Sequence, residues 1–301
     1  MSKTGYQIIS DSSVDLPKAL LDEKNVMVVP FYVSFDDVNY RKEMVEVEVR
    51  EFYQEMVDNP KVFPKTSMPA VQDYVDMFLP LAQAGTPIIC ICISTKFSGS
   101  MQSALNAREI VLESCPQAQI GIIDATVNTV LQGIYVLEAV RMRDAGWGYE
   151  ETIERLEEIK GTGRIFFTVG DMEYLKHGGR IGKLTGIAAS VLGIKPLITL
   201  KEGEIFPSGI VRSRKKSLEK IIDLLEDYLK ELNLDRKEYS LCIGYGYDFE
   251  EACAFKQRVL EKLDEKWNIG DIPMYQIGAA IGVHTGPYPV GLGIMKRAFP
   301  A

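Results

Sequence analysis

Short runs of apolar residues alternate with amphipathic segments along the first half of the chain. The apolar runs predict strands at residues 6–10, 26–35, 87–94 and 119–124. The amphipathic segments predict helices that begin near Pro17, cover residues 48–58, 70–84 and 100–114, and resume from about Thr129. Continuous apolar strands separated by helices are typical of a parallel sheet that is covered on both faces. The first half is therefore predicted to be a doubly wound α/β domain.

The pattern of the second half predicts a mixed or antiparallel sheet with helices. Residues 195–211 form two apolar segments around Glu202 and Gly203, which is the pattern of an antiparallel hairpin and its turn. The other predicted elements are a strand at 164–170, short helical pieces through Leu192, a helix at 214–232, a strand at 239–247, a helix ending at Trp267, and strands at 272–278 and 290–299.

Two glycines interrupt a helical pattern within residues 160–164, and we place a domain boundary there. Residues 1–162 are then an N-terminal α/β domain with a parallel sheet, and residues 163–301 a C-terminal α/β domain with a mixed sheet. Ligands of such folds usually bind in the cleft between domains, at the carboxyl ends of parallel strands. A ligand between the two domains is therefore expected.

Composition narrows the classes of function. The 301 residues suffice for one large or two medium domains, and the 46% hydrophobic and 25% charged fractions are those of an ordinary folded protein. A formal net charge of -8 gives no general attraction to nucleic acid or anionic lipid. Neither a signal peptide nor a membrane-spanning run is evident, so a cytoplasmic protein without stable membrane insertion is expected.

The reactive side chains narrow the choice further. The five cysteines fall mostly in strand or helix patterns and are interpreted as reduced core residues. Neither they nor the two histidines have the spacing of a metal site. Dinucleotide, phosphate-loop and G-x-S-x-G nucleophile motifs are absent from the sequence. Neither a metal nor a nucleotide cofactor is therefore expected.

Five stretches are unusually rich in hydroxyl, small or basic residues: SDSSVDLP (10–17), KTSMPA (65–70), ISTKFSGSMQSA (93–104), MEYLKHGGRIGKL (172–184) and IGAAIGVHTGPYPVGLG (277–293). The first places three polar residues after a strand, Asp11, Ser12 and Ser13. In the third, Ser98 suits a helix N-cap, although a helix start is also an anion site. Caps, turns and solvated loops remain alternatives to ligand binding for the first four. The small residues around His284 and Thr285 instead favour a functional close approach of the backbone.

Together with GIKPLITLKEGEI (193–205) and VRSRKK (211–216), these motifs resemble, in order and from about residue 6 to residue 294, the DegV family of fatty-acid-binding proteins. The resemblance implies two α/β domains with a fatty acid buried between them. It also implies a carrier that is the acyl-carrying subunit of a bacterial fatty acid kinase. Such a carrier presents the carboxyl group to a separate ATP-using kinase subunit, which makes the acyl phosphate. The chain alone is then not catalytic, and its ligand is a long-chain fatty acid.

The resemblance also assigns residues to the carboxylate and to the partner. The predicted carboxylate site consists of Thr66, Ser67, Ser98, the backbone of Gly99, His284 and Thr285. Arg180 and Arg212 are implied as docking residues for the kinase subunit. Several neighbours differ from the residues usual in the family, namely Met68, Ala70, Ser100 and Tyr288. The alternative hypothesis is an acyl hydrolase or transferase in which Ser98 is the nucleophile and His284 the base.

Overall fold

A computed structural model of the chain describes residues 5–185, 193–232 and 235–300. The predicted helical pieces between residues 186 and 192 lie outside the described residues. The described strands are β1 (Gln7–Asp11), β2 (Val26–Val29), β3 (Tyr32–Ser34), β4 (Arg41–Lys42), β5 (Lys65–Ser67), β6 (Ile88–Cys92), β7 (Ile120–Asp124), β8 (Arg164–Thr168), β9 (Lys195–Lys201), β10 (Glu204–Val211), β11 (Tyr239–Tyr245), β12 (Met274–Gln276) and β13 (Val290–Lys296). The described α-helices are α1 (Lys18–Glu23), α2 (Val49–Asp58), α3 (Val71–Gln83), α4 (Ser100–Ser114), α5 (Thr129–Asp144), α6 (Tyr149–Lys160), α7 (Glu173–His177), α8 (Arg214–Leu232), α9 (Phe249–Trp267) and α10 (Ala279–Thr285).

The first large sheet is parallel and has the strand order β2-β1-β6-β7. Successive residues of a strand point to opposite faces. Ile9 and Cys90 accordingly pack with α3 and α4 on one face, whereas Ile8 and Ile89 pack with α5 on the other. Helices on both faces explain why these strands are continuously apolar in the sequence. The predicted doubly wound domain is confirmed.

The second large sheet is mixed and has the strand order β10-β9-β8-β13-β11-β12. Its neighbours are antiparallel except for β11 and β12, which are parallel. The predicted hairpin joins β9 to β10, and its two turn residues have positive φ, 53° at Glu202 and 81° at Gly203. One face of the sheet packs on α8 and α9. The other face is directed towards the N-terminal domain. The predicted parallel sheet of the first half and the predicted mixed sheet of the second half are therefore both present.

A third, small antiparallel sheet was not predicted. It has the order β4-β3-β5 and is inserted in the chain between β2 and β6 of the parallel sheet. The apolar run 26–35, predicted as one strand, is divided between β2 and β3, which belong to different sheets. The stretch 65–67, which was interpreted as a turn or ligand loop, forms the strand β5. Because β5 is short and polar, it carries no apolar alternation that could have indicated a strand.

Helix α10 connects the two halves of the molecule. By sequence it belongs to the second half, but it packs against β3 and α2 of the first half, with Ala279 and Val283 among Val33, Phe52 and Tyr53. The predicted domain division after residue 162 lies between α6 and β8. Among the helices of the described ranges, none is long and apolar enough to cross a membrane.

Candidate functional site

A cavity lies between the six-stranded sheet and the N-terminal domain. Its walls are the sheet, the first turn of α5, the loop after β6 and one side of α10. The cavity has a volume of about 170 Å³. Most of the lining side chains are apolar, so the cavity suits an apolar molecule rather than a hydrated one.

The floor of the cavity is one face of the six-stranded sheet. The strand register aligns one row of lining residues across five strands, in the order Ile205, Leu200, Ile165, Gly293 and Cys242. A second lining row consists of Phe167, Gly291 and Gly244. Because neighbouring strands are about 4.8 Å apart, the first row is about 19 Å long. The floor changes along this length from large side chains on β8 to β10 to glycine and cysteine on β13 and β11.

Helix α10 fixes the direction of the cavity. Three lining residues, Ala280, Ile281 and His284, lie on one side of α10. Ile277, two residues before the helix begins, continues this row at helical spacing. We call the region around His284 the polar end, which consists of Thr66, Ser98, Gly99, Arg180 and His284. We call the opposite region the apolar end, which consists of Val130, Leu131, Cys242, Gly244, Ile277 and Gly293. A molecule lying along α10 therefore has one end among hydrogen-bonding groups and the other among aliphatic side chains.

His284 is a neutral hydrogen-bonding group at the polar end. Its Nε2 lies 3.3 Å from Thr66 Oγ1, whereas its Nδ1 is buried without a hydrogen-bond partner among the described residues. The ring packs against Gly178 so closely that a Cβ added there would lie 2.1 Å from Nδ1. Burial lowers the pKa of His284 to about 4, and the charge of Arg180 acts in the same direction. The imidazole is therefore uncharged at neutral pH.

Ser98 occupies the turn that precedes α4. Its Oγ accepts a hydrogen bond from the backbone N–H of Ser100 at 3.1 Å, which leaves the hydroxyl hydrogen free to donate to a ligand. The N-cap position of α4 is Gly99, one residue after the predicted Ser98. The Ser98 hydroxyl nevertheless accepts from the N–H of the first residue of the helix, as a capping side chain does. Gly99 is exposed, and Met68 covers it closely enough that a Cβ would lie 2.7 Å from Met68 Sδ.

The other hydroxyls of this loop have structural partners. Ser94 Oγ donates to the carbonyl of Gly203 in the β9–β10 turn, at 2.9 Å. Thr95 Oγ1 donates to Asp124 Oδ2 at 2.6 Å, and Ser100 Oγ donates to Asp11 Oδ2 at 2.8 Å. These bonds connect the loop to three other parts of the chain. Only part of the hydroxyl-rich stretch therefore faces the cavity, and Ser98 is its hydroxyl among the lining residues.

The remaining predicted site residues differ in position. Thr285 lines the cavity, but its hydroxyl donates to the carbonyl of Ile281 within α10, at 3.3 Å. Ser67 is exposed and is not among the lining residues, because it alternates with Thr66 along β5 and so points to the other face. Arg180, predicted to dock a partner, lines the polar end and donates to the carbonyls of Phe97 and Gly178 at 3.2 and 2.8 Å. Arg212 is exposed and is the first residue of the connection between β10 and α8.

Buried acidic residues outside the cavity hold its lining segments in place by hydrogen bonds. Asp11 accepts hydrogen bonds from Ile93 N, Ser100 Oγ and Gln132 Nε2 at 2.9, 2.8 and 2.8 Å, and so positions the loop that carries Ser98. Burial raises the pKa of Asp11 despite these bonds. Asp11 was considered as a ligand contact from the sequence. In the structure it contacts the groups that hold the ligand loop, not the cavity itself.

Glu43 holds the start of α10 and was not identified from the sequence. Its carboxylate accepts from Ser12 Oγ at 2.5 Å and from Ala280 N at 2.9 Å. Burial raises the pKa of Glu43 to about 7, and the neighbouring buried carboxyl of Asp15 has its pKa raised by burial and by Glu43. Glu43 stands among charged residues in RKEMVEVE, so nothing in its local sequence distinguishes it from a solvated surface glutamate. Glu43 is recognised as a buried, bonded residue only once the position of α10 in the fold is known.

Within the described ranges, no group of three or more His, Cys, Asp or Glu side chains is positioned to hold a metal ion. The five cysteines are free; Cys90, Cys92 and Cys242 are buried as expected of core residues, whereas Cys115 and Cys253 are only half-buried. The polar end can therefore offer a ligand a hydroxyl, an imidazole, backbone groups and a guanidinium.

Comparison with known proteins agrees with this architecture. A solved stearic-acid-binding protein from Eubacterium ventriosum is 41% identical and has a TM-score of 0.91, over 97% of this chain and 99% of that chain. A fatty-acid-binding DegV family protein from Thermus thermophilus is 27% identical with a TM-score of 0.86, also over 97% of this chain and 99% of that one. A DegV domain-containing protein of Clostridium perfringens is 30% identical over 292 residues, which cover 97% of this chain and 99% of that protein. The family model for uncharacterised proteins of the DegV family matches residues 6–297. The chain belongs to the DegV family.

Proposed function

We propose that this protein is a carrier of long-chain fatty acids. The acyl chain lies in the cavity along α10, and the carboxylate lies at the polar end between Ser98, Thr66 and His284. The observation that carries the proposal is the continuous apolar slot that ends in neutral hydrogen-bond donors beside Arg180. The solved relatives that bind stearic acid and other fatty acids with the same fold support it.

The energetics assign different tasks to the two parts of such a ligand. Burial contributes about 0.8 kcal/mol per methylene, so a chain of about fourteen methylenes contributes on the order of 11 kcal/mol before the costs of association are subtracted. A hydrogen bond to a charged group contributes about 1.5 to 3 kcal/mol. The chain therefore supplies most of the affinity. The polar end supplies a smaller part and determines which end of the molecule faces outwards.

We further propose that the bound carboxyl group is presented to a separate ATP-using kinase subunit, which converts it to an acyl phosphate. The polar end suits this role because Gly99 and Arg180 are exposed, so a carboxylate beside them lies near the surface. Arg212, exposed on the same half of the molecule, is the proposed docking residue together with Arg180. The protein is then a lipid-binding subunit that acts in the cytoplasm and has no phosphoryl-transfer activity of its own.

A hydrolase with Ser98 as nucleophile fits the geometry less well. A serine nucleophile needs a base in contact with its hydroxyl, and that base is in turn oriented by a third group. His284 instead lies beside Thr66, and its Nδ1 has no partner. This arrangement supports a site for a carboxylate more than a nucleophile for a carbonyl.

Mass spectrometry of material extracted from the purified protein tests the carrier. We expect close to one long-chain fatty acid per chain, and a delipidated sample should take one up again. A protein that is empty and takes up none contradicts the carrier. Hydrolysis of a long-chain ester by the parent protein, and its loss in Ser98→Ala, supports the hydrolase instead.

Reconstitution with the cognate kinase subunit, ATP and magnesium tests the finer proposal. Acyl phosphate should form only when both proteins are present. Arg212→Glu should lower its rate while the fatty acid content stays at the parent level. Acyl phosphate formed by the isolated chain contradicts the role as a carrier subunit, and an unchanged rate in Arg212→Glu contradicts the docking assignment.

A further inference from the structure

The apolar end is the place where the two walls of the cavity come closest. A Cβ added to Gly293 would lie 3.2 Å from Leu131 Cβ and 2.6 Å from Cys242 Sγ. A Cβ added to Gly244 would lie 3.3 Å from Ile277 and 3.4 Å from Val130. Helix α5 and the sheet can approach to this extent only because the sheet has no side chains at these two positions. The start of α5 and the residues before α10 therefore close the cavity directly over bare backbone.

The next row of the same face is filled. Residues 291, 293 and 295 of β13 point to the same side of the sheet, since side chains alternate along a strand. The first two are glycines that line the cavity, whereas Met295 is fully buried in the core and is not a lining residue. Leu131, also almost fully buried, lines the cavity opposite Gly293 and belongs to the same core cluster as Met295. The cavity therefore stops where Leu131 closes on Gly293.

We infer that Leu131, closing on Gly293, is a gauge that selects fatty acids by chain length. The inference rests on the proposed function and names the residues that decide which acyl chains fit. The lining row across the sheet is about 19 Å long, which matches a straight chain of roughly fifteen methylenes. A terminal methyl group then lies against Leu131, Cys242 and Gly293. Longer chains must displace Leu131, and shorter chains leave part of the apolar end without contacts.

The helix and the sheet also determine whether a straight or a bent acyl chain fits the cavity. One wall is a straight side of α10 and the other a continuous face of the sheet, and the two rows of lining residues are adjacent along it. The lining residues from Ile277 to His284 extend about 10 Å. A straight chain can therefore contact the sheet along its whole length and the helix along about half of it. The preferred ligand class is therefore a long, straight-chain fatty acid.

Substitutions at the gauge should shift the bound chain length in opposite directions. Leu131→Ala removes the side chain that closes the cavity, so two further methylenes can be accommodated. Since each buried methylene changes affinity about fourfold, the ratio of bound C20 to C16 acids should rise about sixteenfold. Gly244→Ala adds a methyl group between β11 and Ile277, and the same ratio should fall about fourfold. The milder Leu131→Val should give a rise of about fourfold.

Delipidated proteins are incubated with an equimolar mixture of saturated C12 to C20 fatty acids, and the bound fraction is measured by mass spectrometry. Leu137→Ala is the matched control, because Leu137 lies on the same helix and packs on the same core cluster without lining the cavity. It should change the distribution by less than twofold, and thermal unfolding reports that each variant is folded. An unchanged distribution in both Leu131 variants, or an equal shift in Leu137→Ala, overturns the gauge. A parent protein that binds no chain of any length overturns the proposed function, and with it the gauge.

Discussion

The two ends of the cavity are built from different kinds of sequence. The polar end gathers side chains from β5, the loop after β6, the turn after α7 and the end of α10. Each of these segments is unusual in composition, with hydroxyls, glycines or a basic residue in a short space. The apolar end comes from β11, β13 and the start of α5, where valine, leucine and glycine look like ordinary core residues. The residues that bind a polar group can therefore be recognised from the local sequence. The residues that limit the length of the cavity cannot, because their role depends on which residues the fold places opposite them.

The same difference appears in what holds each end in place. The polar end rests on hydrogen bonds, because Asp11 binds the loop that carries Ser98. The apolar end rests on close packing of α5 against backbone at Gly293. Loss of a hydrogen bond should therefore change affinity without changing the preferred chain length. Changes in packing should do the reverse.

Gly178→Ala should have the largest effect on the polar end. The new methyl group would occupy the position 2.1 Å from His284 Nδ1, so the imidazole must move away from Thr66. The backbone of Gly178, with φ -74°, accepts alanine without strain. With one charged hydrogen bond lost and its neighbour disturbed, we expect fatty acid affinity to fall about a hundredfold, measured by displacement of a fluorescent fatty acid.

Gly161→Ala is the matched control for that substitution. Gly161 is also the residue after a helix, has φ -66°, and a Cβ there meets nothing within 4 Å. Its affinity should equal that of the parent. A shift in preferred chain length in Gly178→Ala would show that the two ends are not independent, and would contradict the separation of their roles.

Most strands of the two large sheets could be predicted from the sequence. The strands around Ile89 and Phe166 and the hairpin turn at Glu202 and Gly203 were predicted correctly, because buried strands and two-residue turns have strong local signals. The strand β5 was missed because it is polar and short. β5 forms a strand because it pairs with β3, not because its own residues favour a strand.

For the site, the resemblance and the motifs selected Thr66, Ser98 and His284, which the fold brings together at one end of the cavity. Ser67 was included by adjacency, although residues next to each other on a strand face opposite sides. Glu43 and Leu131 were not identified. Their importance depends on what lies across from them, namely the start of α10 and the glycine at position 293, which are 237 and 162 residues away in the chain.

Ser98→Ala should have a smaller effect than Gly178→Ala. It removes one donor and leaves Thr66, His284 and the Gly99 backbone in place, so affinity should fall about tenfold. Thermal stability should hardly change, since the Ser98 side chain bonds, within the described ranges, to nothing more distant in the chain than Ser100 N. Ser114→Ala, at the other end of the same helix, is the control and should leave affinity unchanged. An unaltered affinity in Ser98→Ala would remove Ser98 from the proposed carboxylate site.

The smallest expected effect is a pH dependence of stability with opposite signs at the two ends of α10. Burial lowers the pKa of His284 from 6.5 to about 4 in the folded protein. Between these values the unfolded chain binds a proton that the folded protein does not, so His284 makes stability fall as the pH falls from 6.5 to 4. Burial raises the pKa of Glu43 from 4.5 to about 7. Here the folded protein holds a proton that the unfolded chain releases, so stability falls as the pH rises from 4.5 to 7.

These opposing contributions partly cancel between pH 4.5 and 6.5, so the effect of Glu43 is best observed from pH 6 to 8. In Glu43→Gln, the amide oxygen can accept from Ala280 N and the amide nitrogen can donate to Ser12 Oγ, so both contacts of the carboxylate have a replacement. Urea unfolding should show the parent losing stability from pH 6 to 8 relative to Glu43→Gln. Below pH 6, His284→Gln should lose less stability on acidification than the parent. If the parent and Glu43→Gln have the same slope from pH 6 to 8, the buried carboxyl does not hold a proton at the start of α10.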